Sequence, residues 1–380
     1  MNLLKFTDEH KAFRERLKNF LEKEVVPLID ECERAHITPR SIWKAMGSRG
    51  FLCTGIPKEY GGQGLDFLYA VIVGEELAKI SFTGLAAPLH SDIIVPYIQA
   101  FGTEAQKKKY LPGCVTGDII TAVAMTEPDA GSDVASMGTT AVQDGDEIVI
   151  NGSKTFISNG VNCDIVVLAA MDPDLENRHQ AVSLYIVEAG TPGFTKGAPL
   201  EKMGWCSQDT AELFFSNCRI PLENRLGQAG KGFIMLMGKL QQERLVCAVG
   251  ALYDAESMLK QTIDYCKKNP GVGKPLSKLQ ANRFALVEVA SEIRIVKTFA
   301  ESLIIDHMEG ENILEETCMA KYWITDMAKR VASRCLDLIG VDGSYETSPL
   351  VRRFRDARVT SIFAGTNEIM KEIIGKTMGL

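Results

Sequence analysis

The sequence predicts a mostly α-helical protein with a central β domain, in the order helices, β domain, helices. Three observations lead to this prediction. The 380 residues are more than one compact core usually supports, so two or three sub-structures are expected. Apolar residues recur at helical spacing towards both ends of the chain, and short β-branched runs separated by turn signals lie between them.

The first block, roughly residues 1–120, is predicted to be a helical domain. Its opening segment carries apolar or aromatic residues at spacings of three and four: Phe6, His10, Phe13, Leu17, Phe20 and Leu21. Thr7 and Asp8 are candidate N-caps for this helix. Helical patterns continue through "GEELAKIS" and "TEAQKKKYLPGC", and the Gly-rich "PKEYGGQGLD" interrupts them as a loop.

The second block, residues 121–230, is predicted to be a β domain. Its β-branched runs include "VQDGDEIVI", "CDIVVLAA", "AVSLYIVEAG" and "TAELFFSNCRIP", and Asp144-Gly145 in the first of them marks a hairpin turn. In the third block, residues 231–380, long helical patterns return, beginning with "FIMLMGKLQQERLVCAVGALYDAESMLKQTIDYC".

Charge and hydropathy exclude several classes of partner. The net charge is −7 and no long run of Lys and Arg occurs, so neither nucleic acid nor an anionic membrane is an expected partner. No apolar run reaches the roughly 18 residues of a membrane span. The opening segment mixes charges of both signs into its apolar pattern, unlike a secretory signal. We therefore expect a cytoplasmic protein.

The cysteines do not indicate a metal site. Ten of them are scattered singly along the chain. They lack the CxxC pairs and the Cys/His spacing that zinc and iron–sulfur sites require. We expect them to behave as small buried hydrophobic residues.

Four segments contain the candidate binding residues. They are "AMTEPDAGSDVAS" (124–136), "NGSKTFISNG" (151–160), "KMGWCSQDTAELFF" and the late "RDARVTSIFAGTNEIMKEIIGK". In their sequences and their order along the chain, these segments resemble those of the acyl-CoA dehydrogenase family, and the resemblance covers essentially the whole chain. The resemblance implies an N-terminal helical domain, a middle β-barrel and a C-terminal four-helix bundle, with FAD between barrel and bundle.

The resemblance also implies the residues that bind FAD and the substrate. The implied cofactor contacts are Met125, Thr126, Phe156, Ser158, Thr366 and Glu368. Phe156 matches the aromatic residue that lies beside the flavin, and Ser158 matches the hydroxyl that donates to flavin N5. Such a donor stabilises the negative charge that the ring gains on reduction. Ser132 and Arg244 match residues that contact the acyl-CoA.

The late motif lacks the base that many members of the family carry. In the family reaction a carboxylate removes the proton α to a thioester carbonyl while the β-carbon loses a hydride. Many members place that carboxylate immediately before Gly-Thr, where this chain has Ala364. Others, including isovaleryl-CoA and long-chain acyl-CoA dehydrogenases, place it in a Glu-Arg-Leu sequence on a bundle helix. "LQQERLVCAVG" contains that sequence, so Glu243 is the predicted base.

Asp92, in the otherwise apolar "LAAPLHSDIIVPYI", is a second candidate base. Ser-Asp before an apolar run is ordinary N-cap chemistry, so the alternative is that Asp92 caps the helix beginning at Ile93. In enzymes that resemble cyclohexene-carboxyl-CoA dehydrogenase, an Asp of this domain acts as base at a ring carbon. That alternative implies an alicyclic thioester substrate and, in some such enzymes, 1,4-elimination.

Two segments depart from the family pattern. Asn269 and Val272 stand where members often have the Arg and Phe that reach a neighbouring subunit's FAD, and Asp337 and Val341 replace Gln and Gly of another FAD loop. Val cannot copy the close approach of Gly to a pyrophosphate. These departures leave open a non-catalytic flavin or acyl-CoA binding protein, and no residue decides against an oxidase that uses molecular oxygen.

The family likeness also predicts partners. It implies a homotetramer that oxidises acyl-CoA thioesters and passes electrons to electron-transfer flavoprotein.

Overall fold

The computed structural model of the protein confirms the order of helices, sheet and helices. It describes residues 3–82, 84–173, 175, 177–271 and 273–380. In the N-terminal block the described residues form α1 (Asp8–Phe20), α2 (Ile29–Ala35), α3 (Arg40–Ser48), α4 (Phe67–Lys79), α5 (Val95–Phe101) and α6 (Glu104–Thr116). Thr7 caps α1 in a capping box with His10, which confirms one of the two candidate caps.

The central block is a twisted arrangement of paired strands. The strands are β1 (Thr121–Ala124), β2 (Thr140–Asp144), β3 (Glu147–Ser158), β4 (Ile165–Met171), β5 (Val182–Glu188), β6 (Phe194–Lys196), β7 (Thr210–Pro221) and β8 (Arg225–Leu226). Their order in the sheet is β6-β7-β3-β2-β4-β5-β8, with β1 parallel to β4. The predicted hairpin joins β2 to β3, with Asp144 opposite Glu147 and Gly145 at φ 61°. A short helix, α7 (Arg178–Ala181), precedes β5.

The C-terminal block is a bundle of long helices. They are α8 (Gly232–Lys268), α9 (Gln280–Glu309), α10 (Leu314–Ile339), α11 (Pro349–Ala357) and α12 (Asn367–Thr377). Helix α8 packs against α9 and α10 within the bundle and against α4 of the first block. In the part of the chain that the structure describes, no helix is both long and apolar enough to cross a membrane.

Shared cores join the three blocks. One apolar core combines the N-terminal helices with the inner face of the sheet, and a second combines α4 with the bundle. The sheet domain also reaches the C-terminal region through Trp205, whose ring nitrogen donates to the Asp356 carbonyl at 3.2 Å. The Trp205 ring lies edge-on to Phe363, with 5.3 Å between centroids. The late motif is therefore held against both the bundle and the sheet domain.

Candidate active site

Glu243 lies on the inward face of α8. Its side chain is 8% exposed, and its carboxylate accepts no hydrogen bond from the described residues, with Oε2 fully enclosed. Burial raises the pKa of Glu243 from 4.5 to about 7, although the positive charges of Arg244 and Lys321 oppose the rise. A carboxylate of this kind binds a proton readily near neutral pH and has a free oxygen to receive it.

Polar groups from three helices face this carboxylate. Tyr97 of α5 is fully buried and its hydroxyl has no partner in the described chain. Burial, with the nearby charge of Glu243, raises the pKa of Tyr97 well above its usual value. Arg244 donates to Cys318 Sγ at 3.3 Å, while its Nε has no partner. Buried polar atoms are nearly always paired in folded proteins, so several unpaired ones together indicate a ligand site.

The turn at Ala364 and Gly365 approaches the same site through Lys321 of α10. The Lys321 Nζ atom donates to the Gly365 carbonyl at 2.5 Å and to Asn367 Oδ1 at 3.2 Å. Ala364 and Gly365 have φ values of 54° and 85°, and their N–H groups donate no hydrogen bond within the described chain. Successive free N–H groups in such a turn form a concavity that binds a developing negative charge.

Asp92 lies in a segment that contacts α8, but it does not cap a helix. It sits inside a π-helical turn, Leu89–Ile94, that precedes α5, so the predicted N-cap is wrong. Gln242 of α8 donates to the Asp92 carbonyl at 2.6 Å, which joins this turn to the helix of Glu243. Burial raises the pKa of Asp92 to about 8, although part of the side chain remains accessible. π-helical turns often mark functional sites.

The predicted flavin contacts form a second group, on β3 and the loop before it. Thr155 donates its N–H to the Thr126 carbonyl at 2.9 Å, and Lys154 Nζ donates to the Met125 carbonyl at 3.0 Å. Lys154 is fully buried and also pairs with Glu127 at 2.7 Å. A buried ion pair thus holds the loop of Met125 and Thr126 against β3.

A β-bulge turns Phe156 away from the core. The pairing of β3 with β7 shifts register between Lys154 and Ile157, and Phe156 has φ 57°. As a result Phe156 is 68% exposed while Ile157 is 2% exposed. Strict alternation would have placed Lys154, Phe156 and Ser158 on one face, so the bulge separates the exposed Phe156 from the buried Lys154.

This group suits the flavin of FAD. The hydroxyls of Thr126 and Ser158 make no side-chain hydrogen bond with the described residues. An exposed aromatic ring beside two free hydroxyls matches the needs of a flat, polar heterocycle. The residues present therefore fit the cofactor that the resemblance implies.

The remaining predicted contacts are Thr366, Ser132 and Glu368. Thr366 is the N-cap of α12, and its hydroxyl accepts from Ile369 N at 3.3 Å. Ser132 and Glu368 are exposed, and no hydrogen bond brings either of them to Glu243 or β3 in the described chain.

The positions that depart from the family pattern lie at helix ends. Asn269 is the C-cap of α8, Asp337 is in the last turn of α10, and Val341 is an exposed residue just after α10. Val272 lies outside the described residues.

Sequence reasoning missed Tyr97, Lys321 and the pair of Lys154 with Glu127. Lys154 and Glu127 fall inside two of the quoted motifs, so the missing signal was the spatial contact between the two motifs. Tyr97 and Lys321 lie in ordinary amphipathic patterns, where neither residue differs from a half-buried helical residue.

Comparisons with known proteins agree with this geometry. Three family models match the chain: acyl-CoA dehydrogenase, N-terminal domain, over residues 7–118; middle domain, over residues 122–218; and C-terminal domain, over residues 230–379. Together they span most of the chain.

Individual relatives match over nearly the full length. The solved structure of acyl-CoA dehydrogenase from Geobacillus kaustophilus is 48% identical, covers 100% of both chains and superposes with a TM-score of 0.97. The mitochondrial long-chain specific acyl-CoA dehydrogenase of Sus scrofa is 40% identical over 98% of this chain and 86% of its own length. A structure described as the electron transferring flavoprotein of Acidaminococcus fermentans is 35% identical, covers 100% of this chain and 99% of its own, and has a TM-score of 0.94. This chain belongs to the acyl-CoA dehydrogenase family.

Proposed function

We propose that Glu243 is the base that removes the α-proton of the acyl-CoA thioester. The proposal is carried by one observation: the Glu243 carboxylate is buried without any hydrogen-bond partner in the described chain. Leaving a carboxylate in that state costs several kcal/mol, so it is retained where a ligand uses it. Ala364 occupies the alternative position of the family's base and has no proton-accepting group.

The overall reaction follows from the family. The chain is an FAD-dependent acyl-CoA dehydrogenase, an oxidoreductase that converts an acyl-CoA thioester to an enoyl-CoA. FAD held by these residues would supply the acceptor for the hydride that leaves the β-carbon. The residues of the chain supply binding, orientation and proton transfer.

Each group of residues has a separate task in this proposal. Phe156, Thr126 and Ser158 bind the flavin ring. The free N–H groups of Ala364 and Gly365 donate to the thioester oxygen, where negative charge develops as the α-proton leaves. Glu243 accepts that proton, and its pKa of about 7 places it near the optimum for a base that works at neutral pH.

The test is anaerobic flavin bleaching with straight, branched and alicyclic acyl-CoA substrates. We expect Glu243→Gln to slow flavin reduction by about 10²–10⁴-fold, the usual contribution of a general base, and to leave flavin binding intact. Asp92→Asn is the matched control because it neutralises the second candidate base, whose backbone contacts Gln242 of α8. A Glu243→Gln enzyme that bleaches at the wild-type rate would overturn the proposal.

A second function is favoured by the placement of Asp92. Its π-helical turn contacts α8 beside Glu243, and burial raises its pKa to about 8. With an alicyclic acyl-CoA, Asp92 would take a proton from a ring carbon remote from the thioester. This alternative predicts that Asp92→Asn alone abolishes bleaching and that only ring thioesters react.

The homotetramer is a further part of the proposal. α9 carries a row of exposed apolar side chains: Phe284, Val287, Ile295 and Phe299. A row of this kind on a long helix favours contact with another subunit. Sedimentation velocity of the purified protein measures the assembly, and a monomer at micromolar concentration would contradict it.

The electron acceptor and the location complete the proposal. We propose electron-transfer flavoprotein as the acceptor because membership of the acyl-CoA dehydrogenase family implies it. Turnover with purified electron-transfer flavoprotein, against turnover with oxygen alone, tests this acceptor. A cytoplasmic location stays a prediction that fractionation of expressing cells checks.

A further inference from the structure

Lys321 is a buried cation that no carboxylate neutralises directly. Its side chain is fully buried in α10, and the oxygens that accept from Nζ belong to the Gly365 carbonyl and the Asn367 amide. Among the described residues it forms no salt bridge, whereas Lys154, equally buried, pairs with Glu127. A buried ammonium group without a counter-charge is costly. Its retention at this place indicates a task in the site.

The first acceptor of Lys321 is part of the turn whose free N–H groups are proposed to bind the thioester oxygen. Because Nζ holds the Gly365 carbonyl at 2.5 Å, it restrains the peptide that follows the free N–H groups of Ala364 and Gly365. Ala364 adopts a left-handed conformation that costs a non-glycine residue roughly 1–2 kcal/mol. Such a conformation persists when surrounding contacts impose it.

The second acceptor is itself held in place. The Asn367 amide donates to the Tyr322 carbonyl, to Thr325 Oγ1 and to Asp326 Oδ1 at 3.0–3.2 Å. With its oxygen bound to Lys321 and its nitrogen bound to α10, the Asn367 side chain has little freedom. Lys321 is therefore anchored in position and cannot swing to Glu243.

Lys321 also acts on the base by charge. The ionisable groups that face Glu243 are Tyr97 on α5, Arg244 and Cys247 on α8, and Lys321 on α10. Burial, with the charge of Glu243, raises the pKa of the Cys247 thiol to about 12, and the pKa of Tyr97 is raised too, so both stay neutral near pH 7. The guanidinium of Arg244 points to Cys318. Burial lowers the pKa of Lys321 itself to about 8, although the charges of Asp326 on α10 and Glu368 on α12 oppose the fall. Lys321 is therefore charged at and below neutral pH, and there it and Arg244 are the cations whose charge favours ionised Glu243.

We propose that Lys321 is a positioning residue for proton abstraction, which fixes the Ala364–Gly365 turn through the Gly365 carbonyl and keeps Glu243 ionised by an unpaired positive charge. The inference rests on the proposed role of Glu243 as base. It assigns two separable effects to one side chain. The hydrogen bond sets the geometry of the oxyanion donors, and the charge sets the protonation state of the base.

The two effects separate in the pH profile of anaerobic flavin reduction. Lys321→Gln removes the charge but keeps an amide N–H that reaches towards Gly365, whereas Lys321→Met removes both. Without the charge, Glu243 binds its proton more tightly. In both variants we expect the acid limb of the profile to shift to higher pH by about one unit. At a pH on the acid side of the limb, the rate then falls tenfold. The plateau at higher pH falls in the Met variant only.

Thr325→Val is the matched control. Thr325 is fully buried on α10 and its hydroxyl contacts Asn367 Oδ1 at 3.2 Å, so this variant perturbs the same cluster without changing a charge. We expect its acid limb to coincide with that of the wild type. Flavin content and far-ultraviolet circular dichroism of each variant establish that it has folded.

Three results distinguish this inference from the role of Glu243. If the flavin of the wild-type protein bleaches and that of Glu243→Gln does not, Glu243 is supported as the base, and the Lys321 variants then test the further inference. An unmoved acid limb in Lys321→Gln would then overturn the charge effect, even if the rate fell at every pH. If Glu243→Gln bleaches normally, the proposed base fails first, whatever Lys321 does. Because Lys321→Gln keeps a hydrogen-bonding group in the cavity, it carries the test should the Met variant not fold.

Discussion

Two of the buried glutamates, Glu127 in the sheet domain and Glu243 in the bundle, differ in how they are paired. On the sheet side, Glu127 pairs with Lys154 and accepts the N–H groups of Gly138 and Thr139 at 2.6 and 3.0 Å. On the bundle side, Glu243 accepts no hydrogen bond from the described chain. A buried charge whose partners are complete holds structure together, whereas one left without partners is available to a ligand.

The pKa values follow from the same difference. Burial disfavours the charge of both residues, but hydrogen bonds and the charge of Lys154 hold the pKa of Glu127 below its usual value. Glu243 has only the more distant charges of Arg244 and Lys321, so burial prevails and raises its pKa to about 7. The number of local donors therefore decides whether a buried glutamate is a structural anion or a base.

The largest stability change is expected on the sheet side. Lys154→Met leaves Glu127 buried without its counter-charge, a change that typically costs about 3–5 kcal/mol. Denaturant unfolding should show this loss together with weaker flavin retention, because Lys154 also holds the Met125 carbonyl. The double variant Lys154→Met/Glu127→Gln is the control and should recover part of the loss. A single variant as stable as the wild type would break the comparison.

On the bundle side, the substitution Glu243→Gln should stabilise the protein. The pKa of Glu243 is 4.5 in its usual state and about 7 when folded, so the wild type loses stability as pH rises through this interval. Glu243→Gln avoids that loss. We expect it to be more stable than wild type by about 3 kcal/mol at pH 8 and nearly equal at pH 4.5.

Denaturant midpoints at the two pH values measure this difference. Equal stability of the wild type and Glu243→Gln at pH 8 would show that the carboxylate is not unpaired in solution. It would contradict the distinction between the two glutamates.

The smallest change concerns the turn beside Glu243. Ala364 has φ 54°, which Gly adopts without the penalty of a side chain, although Gly loses more backbone entropy on folding. We expect Ala364→Gly to stabilise the fold by about 0.5 kcal/mol and to slow flavin reduction, because the turn that presents the N–H groups becomes less rigid. Thermal unfolding and bleaching rates measure the two effects.

Gly365→Ala provides the opposite substitution in the same turn. Gly365 has φ 85°, and an added Cβ would lie 2.7 Å from the Met370 side chain. This variant should be destabilised. A destabilised Ala364→Gly variant would instead show that the Ala364 methyl group contributes packing that outweighs its backbone strain.

The sequence predicts the fold well because its signals are local. Periodicity and turn residues in the chain indicate the order of helices, sheet and helices, the hairpin at Gly145 and the cap at Thr7, all of which the structure confirms. Domain boundaries at residues 120 and 230 stay predictions, as do the roles assigned to the individual site residues. The cap at Asp92 was wrong because the π-helical turn after Pro88 is stabilised by contact with α8, which the local sequence does not report.

By itself the sequence determined the family and the element order, and it predicts Glu243 rather than Ala364 as the base, since motifs and residue identities are properties of the chain alone. Only the tertiary structure decided which buried charges are paired. Lys154 and Lys321 are both lysines in amphipathic segments, yet one meets a carboxylate and the other meets a carbonyl and an amide. Pairing depends on contacts between residues far apart in the chain, and these contacts exist only once the helices and the sheet have packed together.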